Sequence, residues 1–236
     1  MNTDVSASAY TLQGGEIAID SSDNIYIVYS EYSETGIDAR SRFYCYTNAT
    51  GPWTRELIAS GTGLNMGIEC SMAIDGSDYL HCAYIESHPS TGDRVVVYAT
   101  NETGVWVNDP VDHTYSDYAK HTSIAVDSYG DVHISFYEYL DNLYDSGSLQ
   151  YATLDGGVWQ VTTVDDTGWA GSRSSIAATA QGRLRISYHD SVNELMKYAS
   201  NATGSWVVST VSDSIAYDGY TLSLIHISEP TRLRRI

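Results

Sequence analysis

The chain has 236 residues, a length that suits one large domain or two small ones. Its 30 acidic residues outnumber 12 basic ones, and the formal net charge of −18 repels phosphate groups, so we expect no nucleic-acid binding. Its 3 cysteines cannot build a disulfide-framework mini-protein, and no apolar run reaches the roughly 18 residues of a membrane span, so we expect no membrane insertion.

Internal repetition dominates the chain. The segment from Ser123 to Tyr137, SIAVDSYGDVHISFY, recurs in three other places, and a second phrase ending in tryptophan follows each copy. The copies lie about fifty residues apart. Their anchor residues are Asp20, Asp75, Asp127 and Thr179, and their closing tryptophans are Trp53, Trp106, Trp159 and Trp206. The predicted repeats span residues 14–66, 67–118, 119–170 and 171–218.

Within each copy, apolar and polar residues alternate with a period of two, which predicts β-strands. In the third copy, a turn from Asp127 to Asp131 joins strands A and B, and Asp155 with two glycines joins strands C and D. Each copy is therefore a four-stranded antiparallel meander, the pattern of a β-propeller blade. We predict an all-β chain of four blades from a larger propeller. A β-sandwich with coincidental spacing is the alternative.

The last residues depart from the repeat. A fifth copy begins at Gly219, but residues 222–236 break its pattern and resemble the translation of a transposase-type sequencing adapter, so we expect a non-native tail there. A natural closing strand is the alternative. Because an interrupted ring exposes its terminal blades, we also expect self-association.

Acidic residues fill the turns between strands A and B. They are Asp20, Asp23, Asp75, Asp78, Asp127 and Asp131. Their spacing does not match the loop in which oxygen ligands surround calcium, whereas aspartate readily accepts hydrogen bonds from nearby backbone N–H groups in turns. We therefore predict a structural role and no cofactor, with calcium binding as the alternative.

Three C–D turns begin with the asparagine of a glycosylation sequon: Asn48, Asn101 and Asn201. Asp155 is expected to take this place in the remaining copy. Because asparagine stabilises chain reversals, turn chemistry explains the recurrence without a glycan. Glycosylation is the alternative.

Three further sets of residues favour packing over chemistry. Cys82 faces Met72 rather than Cys70 across a hairpin, so we expect buried free thiols instead of a disulfide. His81 and His133 share one position of strand B, but equivalent residues of successive blades fan out around the axis, so we expect no metal site from them. The four closing tryptophans are expected to pack between or along the blades.

Strand B ends in an acidic residue in every copy. These residues are Glu31, Glu86, Glu138 and Asp190. A residue repeated in every blade usually serves the blade itself, yet repeated carboxylates also make repeated sugar or cation sites. We keep both interpretations and include the four residues among the candidate ligand-binding residues.

The position six residues before the anchor, near the start of strand A and here called the mouth of strand A, differs in every copy. The four residues are Gly14, Glu69, His121 and Arg173. In a propeller this mouth shares a face with the D–A and B–C connections, where ligands usually bind, and the D–A loops would add Tyr115, Trp169 and Tyr217. Aromatic rings beside carboxylates and an arginine suit a carbohydrate or peptide ligand. Ordinary loop variation is the alternative.

One C–D turn carries a family resemblance. The string ATLDGGVW resembles a shortened Asp-box, the S-x-D-x-G-x-x-W turn of sialidase-like propellers, with Thr153, Asp155 and Gly157 in register and Trp159 one residue early. The resemblance implies an arginine triad, a Tyr/Glu nucleophile pair and an acidic proton donor. The R-I-P signature of sialidases is absent, and Arg173 is the only arginine that we place at the pocket mouth. The activity is therefore not carried over.

Two classes of function remain. The first is a non-catalytic propeller, outside the cell or on its surface, that binds a glycan or a protein. The second is a fragment of a sialidase-like glycoside hydrolase or lyase whose catalytic set is incomplete in this chain. Near-identical blades favour the first class, because a catalytic site requires blades that differ.

Overall fold

The computed structural model describes residues 10–33, 40–62, 66–88, 91–111, 119–139 and 147–212. These residues form sixteen β-strands and no helix. Among them there is accordingly no helix long and apolar enough to cross a membrane. The predicted tail at 222–236 and the loop tyrosines Tyr115 and Tyr217 lie outside the described residues.

The strands fall into four groups of four, here called blades 1 to 4. Blade 1 comprises β1 (Tyr10–Ile19), β2 (Ile25–Ser33), β3 (Arg40–Thr47) and β4 (Thr54–Thr62). Blade 2 comprises β5 (Met66–Ile74), β6 (Leu80–Ser87), β7 (Arg94–Thr100) and β8 (Val107–Pro110). Blade 3 comprises β9 (Ala119–Val126), β10 (Val132–Tyr139), β11 (Gly147–Asp155) and β12 (Val158–Asp165). Blade 4 comprises β13 (Ala170–Ala178), β14 (Leu184–Asp190), β15 (Leu195–Ser200) and β16 (Val207–Ser212).

Each blade is one antiparallel sheet in which the strands are hydrogen-bonded in chain order. Within a blade, each strand therefore pairs with the strand before it, which makes the sheet the meander that the repeat predicts. The predicted all-β architecture of four-stranded propeller blades is confirmed.

Burial decreases from the middle of each blade to its last strand. Strand β6 is buried over its first six residues, whereas β16 is exposed over its first five. The middle strands consequently supply most of the buried apolar surface, whereas the last strand presents both polar residues and exposed valines, such as Val207 and Val211 of β16, to solvent.

The chain divides into two compact units, residues Met1–Thr122 and Ser123–Ile236. In the first unit, blades 1 and 2 share one apolar core that includes Val28, Phe43 and Tyr84. In the second unit, a core between blades 3 and 4 includes Leu149 and Ile186. Full burial of each such side chain stabilises the fold by roughly 1.5–3 kcal/mol.

The A–B turns are organised by their first aspartate. In three blades its Oδ1 accepts two backbone N–H groups from further along the turn, at distances of 2.8–3.0 Å. These aspartates are Asp20, Asp75 and Asp127. The structural role predicted for them is confirmed.

The C–D turns use asparagine in the same way. Oδ1 of Asn48, Asn101 and Asn201 accepts the backbone N–H of the first residue of strand B, at 2.7, 2.8 and 2.6 Å. One side chain thus ties the C–D turn to a neighbouring strand. This contact explains why asparagine recurs in three blades, as the turn interpretation predicted.

Blade 3 requires a correction in this turn. Thr153 pairs with His133 as Thr100 pairs with His81, so Leu154, and not Asp155, stands at the asparagine position. Leucine cannot accept the hydrogen bond. The two strands instead continue to Asp155 and Val158, and the chain reverses at Gly156 and Gly157, whose φ angles of 58° and 82° suit a two-residue hairpin.

The tryptophans are less buried than their recurrence suggests. Trp53 is 51% exposed, which contradicts the prediction that all four are packed. Trp106 packs against the core of the first unit, and its Nε1 donates to Glu56 Oε2 at 3.1 Å. Trp206 packs against the core of the second unit and meets the ring of Tyr151 edge-on at 5.2 Å.

The cysteines are buried free thiols, as predicted. Cys82 is paired with Met72 across the hairpin. Burial raises the pKa of Cys45 and of Cys70 to about 12, so both are protonated and unreactive at neutral pH.

Candidate functional site

The variable position at the mouth of strand A has an unusual backbone conformation in every blade. Gly14, Glu69, His121 and Arg173 have φ angles of 68°, 50°, 54° and 54°. In blades 1, 2 and 4 the pairing with strand B shifts register around this residue, which identifies a β-bulge. Residues other than glycine rarely adopt this conformation, which costs on the order of 1 kcal/mol or more.

In the first unit, the variable residues of β1, β5 and β9 lie close to one another. The backbone N–H of His121 donates to Glu69 Oε2 at 2.5 Å, and the Thr122 hydroxyl donates to the Glu69 carbonyl at 2.5 Å. A Cβ atom added at Gly14 would lie 3.5 Å from Cys70 Sγ, so β1 passes close to β5 at the same level. The variable residues of this unit are therefore neighbours on adjoining first strands.

In the second unit, Arg173 and Trp169 lie at one end of the β13–β14 pair. Arg173 is exposed on its bulge, and Trp169 is half-buried just before the strand. The Trp169 carbonyl accepts the backbone N–H of Ser191 at 3.1 Å, and Ala170 pairs with Asp190. Trp169, Arg173 and Asp190, which the sequence predicted to share a face, are brought to the same strand ends.

Asp190 belongs to a buried charge network. Lys197 Nζ lies 2.9 Å from Asp190 Oδ2 and 3.1 Å from Asp165 Oδ2. Tyr188 donates to Asp165 at 2.7 Å, and Asn193 donates to Asp190 at 2.9 Å. Asp190 is 0% exposed, so its predicted direct contact with a ligand is corrected: the carboxylate accepts the backbone N–H groups of Val192 and Asn193 and so holds the B–C loop.

The protonation states of this network are fixed by its hydrogen bonds. Burial alone would lower the pKa of Lys197, but hydrogen bonds to Asp190 and Asp165 outweigh it and raise the pKa. Burial alone would raise the pKa of Asp165, but hydrogen bonds from Thr167, Tyr188 and Lys197 lower it. The groups are charged and mutually satisfied, an arrangement that suits positioning rather than proton transfer.

The acidic residues that end strand B in the other three blades differ from one another in their contacts. Glu31 Oε1 accepts hydrogen bonds from the Tyr29 hydroxyl at 3.0 Å and from Arg55 Nη1 at 3.1 Å. Glu86 is half-buried, and burial raises its pKa. Glu138 is also half-buried. Equivalent positions therefore differ in their hydrogen bonds and burial. A set of residues with one shared structural role would not need to differ in this way.

The strand-B histidines are core residues. His81 and His133 are 1% and 7% exposed, and each Nδ1 contacts a tyrosine hydroxyl of strand C, at 2.6 and 2.8 Å. Burial lowers the pKa of both histidines, and nearby aspartates only partly oppose it. Both rings are therefore neutral at pH 7.

Lys197 is the residue of the candidate site that the sequence did not predict. It is one of only two lysines in the chain, the other being Lys120. A lysine on a central strand of a blade predicts a buried cation that needs carboxylate partners. This scarcity was the available signal, although its partner Asp165 lies on the last strand of the preceding blade.

Comparison with known proteins shows the fold alone. No family model and no curated protein sequence matches the chain. A protein of unknown function from Dyadobacter fermentans aligns with a TM-score of 0.62 at 12% identity, over 86% of this chain and 70% of its own. An α-L-arabinofuranosidase from Fusarium graminearum, in complex with an iminosugar inhibitor, aligns with a TM-score of 0.56 at 9% identity, over 86% and 68%. A polysaccharide lyase of family PL25, an ulvan lyase, aligns with a TM-score of 0.54 at 14% identity, over 90% and 54%. The chain thus spans about half the length of the ulvan lyase.

Proposed function

We propose that the chain is a non-catalytic carbohydrate-binding propeller region whose ligand contacts the strand ends that carry Trp169 and Arg173. The observation that carries the proposal is the exposed Arg173, held on a strained bulge four residues after a half-buried Trp169. Strain of this kind clusters at functional sites, because a less costly residue such as glycine would otherwise serve.

The chemistry of these side chains suits a sugar. An indole ring stacks on the apolar face of a pyranose, and a guanidinium donates paired hydrogen bonds to hydroxyl or carboxylate oxygens. The Asp165–Lys197–Asp190 network makes hydrogen bonds to Thr167 and Asn193 in the D–A and B–C loops, and loops held in this way lose less entropy on binding. The net charge of −18 favours neutral or cationic ligands over highly anionic ones.

In the first unit, Glu69, His121 and Glu86 form the matching set of residues. Glu69 and Glu86 lie at the same end of the β5–β6 pair, since Met66 pairs with Glu86 and Ile68 pairs with Ile85. Their carboxylates can accept hydroxyl hydrogen bonds from a second sugar. Tyr115 and Tyr217 remain predicted contributors.

A fragment of a glycoside hydrolase or lyase is the second candidate. Glu86 favours it, because a half-buried carboxyl group whose pKa burial raises is suited to proton donation. Two of the similar folds, the arabinofuranosidase and the ulvan lyase, are carbohydrate-active by their descriptions. Release of reducing ends or of unsaturated products from a polysaccharide panel, abolished by Glu86→Gln, would support this candidate.

A glycan array tests the proposal. Trp169→Ala and Arg173→Ala should each abolish or strongly reduce the signals of the parent. Two matched controls carry the same changes on the A–B turns at the other strand ends: Tyr129→Ala, an aromatic residue that is 75% exposed, and Arg183→Ala, also exposed. Loss of signal in the controls but not in the test variants would contradict the chosen face.

The partner and location form part of the same proposal. A glycan ligand implies exposure outside the cell or on its surface, and a protein that carries such a glycan is an equally suitable partner. Self-association through the terminal blades stays a prediction, which sedimentation of the purified chain tests.

A further inference from the structure

Blade 2 brings three side chains that can bind a metal ion together at the end of its strands that carries the A–B and C–D turns. Asp75 lies in the A–B turn, His81 lies on β6, and Glu102 lies in the C–D turn. One ligand atom from each residue lies within 4.8 Å of the other two. Among the residues that the structure describes, this is the one group of three or more such side chains.

The Nε2 atom of His81 is directed at this group and has no hydrogen bond. The residue is 1% exposed, and its Nε2 is buried and has no hydrogen-bond partner. The nearest carboxylate oxygen, Asp75 Oδ2, is 3.6 Å away, beyond hydrogen-bonding distance. A buried, unsatisfied ring nitrogen costs about 1–3 kcal/mol and calls for an explanation.

The surrounding contacts orient the donors. The Tyr98 hydroxyl contacts His81 Nδ1 at 2.6 Å, which is the outer contact that metal-binding histidines usually have on their second nitrogen. Asp75 Oδ1 is occupied by the N–H groups of Ser77 and Tyr79, both at 2.8 Å, which leaves Oδ2 directed at the ring. Two ligands of one tetrahedral zinc lie roughly 3.4 Å apart, close to the observed separation of Nε2 and Oδ2.

Blade 3 provides an incomplete copy of the same arrangement. His133 Nε2 lies 3.6 Å from Asp127 Oδ2, and its Nδ1 contacts the Tyr151 hydroxyl. Asp155, which stands at the position of Glu102, lies instead in the longer β11–β12 hairpin. The third carboxylate therefore distinguishes blade 2 from blade 3.

We propose that Asp75, His81 and Glu102 bind a divalent transition-metal ion, with zinc as the best match. Imidazole nitrogen together with two carboxylate oxygens is a zinc donor set, and the remaining coordination position is open to water. The neutral His81 ring offers its Nε2 lone pair when Nδ1–H donates to Tyr98. Within blade 2 the site lies at the A–B turn end of the strands, whereas Glu69 and Glu86 lie toward the other end.

Zinc titration of the chelator-treated full chain tests this site. The parent should bind zinc with at least tenfold higher affinity than the Glu102→Gln variant, and Co²⁺ should give a visible spectrum with a histidine ligand in the parent but not in Glu102→Gln. Because Glu102 is exposed, its substitution leaves the core intact. The matched control, Asp155→Asn, removes one charge at the same turn position of blade 3 and should leave the affinity unchanged.

Two results would overturn the proposal. One is parent affinity equal to that of Glu102→Gln, which would indicate adventitious binding to the acidic surface. The other is an equal loss in Asp155→Asn. The NMR signals of the His81 ring provide the second measurement, since zinc should shift them more than those of His133.

Discussion

The carboxylate of Glu69 accepts the backbone N–H of His121 at 2.5 Å, so the bulge residue of β5 holds the variable residue of β9. Both residues have left-handed backbone angles, of 50° and 54°. The hydrogen bond is charge-assisted and partly offsets the cost of these conformations.

Substitution of Glu69 should reveal this coupling. Glu69→Ala should destabilise the protein by about 1–3 kcal/mol, because the His121 N–H loses its acceptor. Glu69→Gln retains an acceptor oxygen and should cost less. Urea unfolding of the three proteins measures the order, and equal stability of Glu69→Ala and the parent would contradict it.

Lys197 should be the most sensitive charged residue of the second unit. Lys197→Met leaves Asp165 and Asp190 buried without a cation and should cost about 3–5 kcal/mol. The control is Lys120→Met, which removes the other lysine, half-buried on β9, and should cost at most about 1 kcal/mol. Thermal unfolding compares the two variants, and equal losses would show that the network is not the cause.

Acid should weaken the same network. The lowered pKa values of Asp165 and Asp190 mean that both carboxylates stabilise the fold above their unfolded pKa of about 3.9. This stabilisation is lost as pH falls through the lower, folded pKa. The melting temperature of the parent should therefore fall more steeply between about pH 5 and pH 2 than that of an Asp165→Asn, Asp190→Asn, Lys197→Met triple variant. Parallel curves would contradict the assignment; if the triple variant does not fold, Asp190→Asn alone should reduce the slope.

The turn asparagines should act through their oxygen atom. Asn201→Asp keeps the acceptor for the Leu184 N–H and removes the glycosylation sequon, so stability should change by less than about 1 kcal/mol. Asn201→Ala removes the acceptor and should cost about 1–3 kcal/mol. Chemical denaturation distinguishes the two, and a large loss in Asn201→Asp would contradict the turn role.

The tryptophans should differ in their contribution to stability. Trp206 contacts the core and Tyr151, so Trp206→Ala should cost roughly 2–4 kcal/mol, at or below the range for a fully buried tryptophan. Trp53→Ala, at a residue that is 51% exposed, should cost about 1 kcal/mol or less. The reverse order on urea unfolding would mean that exposure does not govern the contribution.

Features that repeat along the chain could be predicted, because the same short-range pattern of side chains recurs in each copy. Period-two alternation identified the strands, and recurring Asp and Asn identified the turns that use them as backbone acceptors. The asparagine position of blade 3 was misassigned because Asp155 was expected to replace asparagine in the turn, whereas the pairing of Thr153 with His133 places Leu154 there.

Features that depend on contacts between distant residues could not be predicted in this way. Lys197 meets Asp165 across two blades, and only the fold brings them together. The group of Asp75, His81 and Glu102 was not predicted for a related reason. The sequence comparison set equivalent positions of different blades side by side, whereas these three residues occupy different positions of one blade. The bulges left no common signal, since only Gly14 is a residue that favours a positive φ.

The most direct test of the account is a calorimetric titration of the best array glycan into the parent, Trp169→Ala and its control Tyr129→Ala. We predict that Trp169→Ala weakens binding by at least tenfold, because the indole face is lost, while Tyr129→Ala binds as the parent does. Equal affinity of Trp169→Ala and the parent, with weaker binding by Tyr129→Ala, would contradict the claim that the strand ends bearing Trp169 and Arg173 bind the ligand.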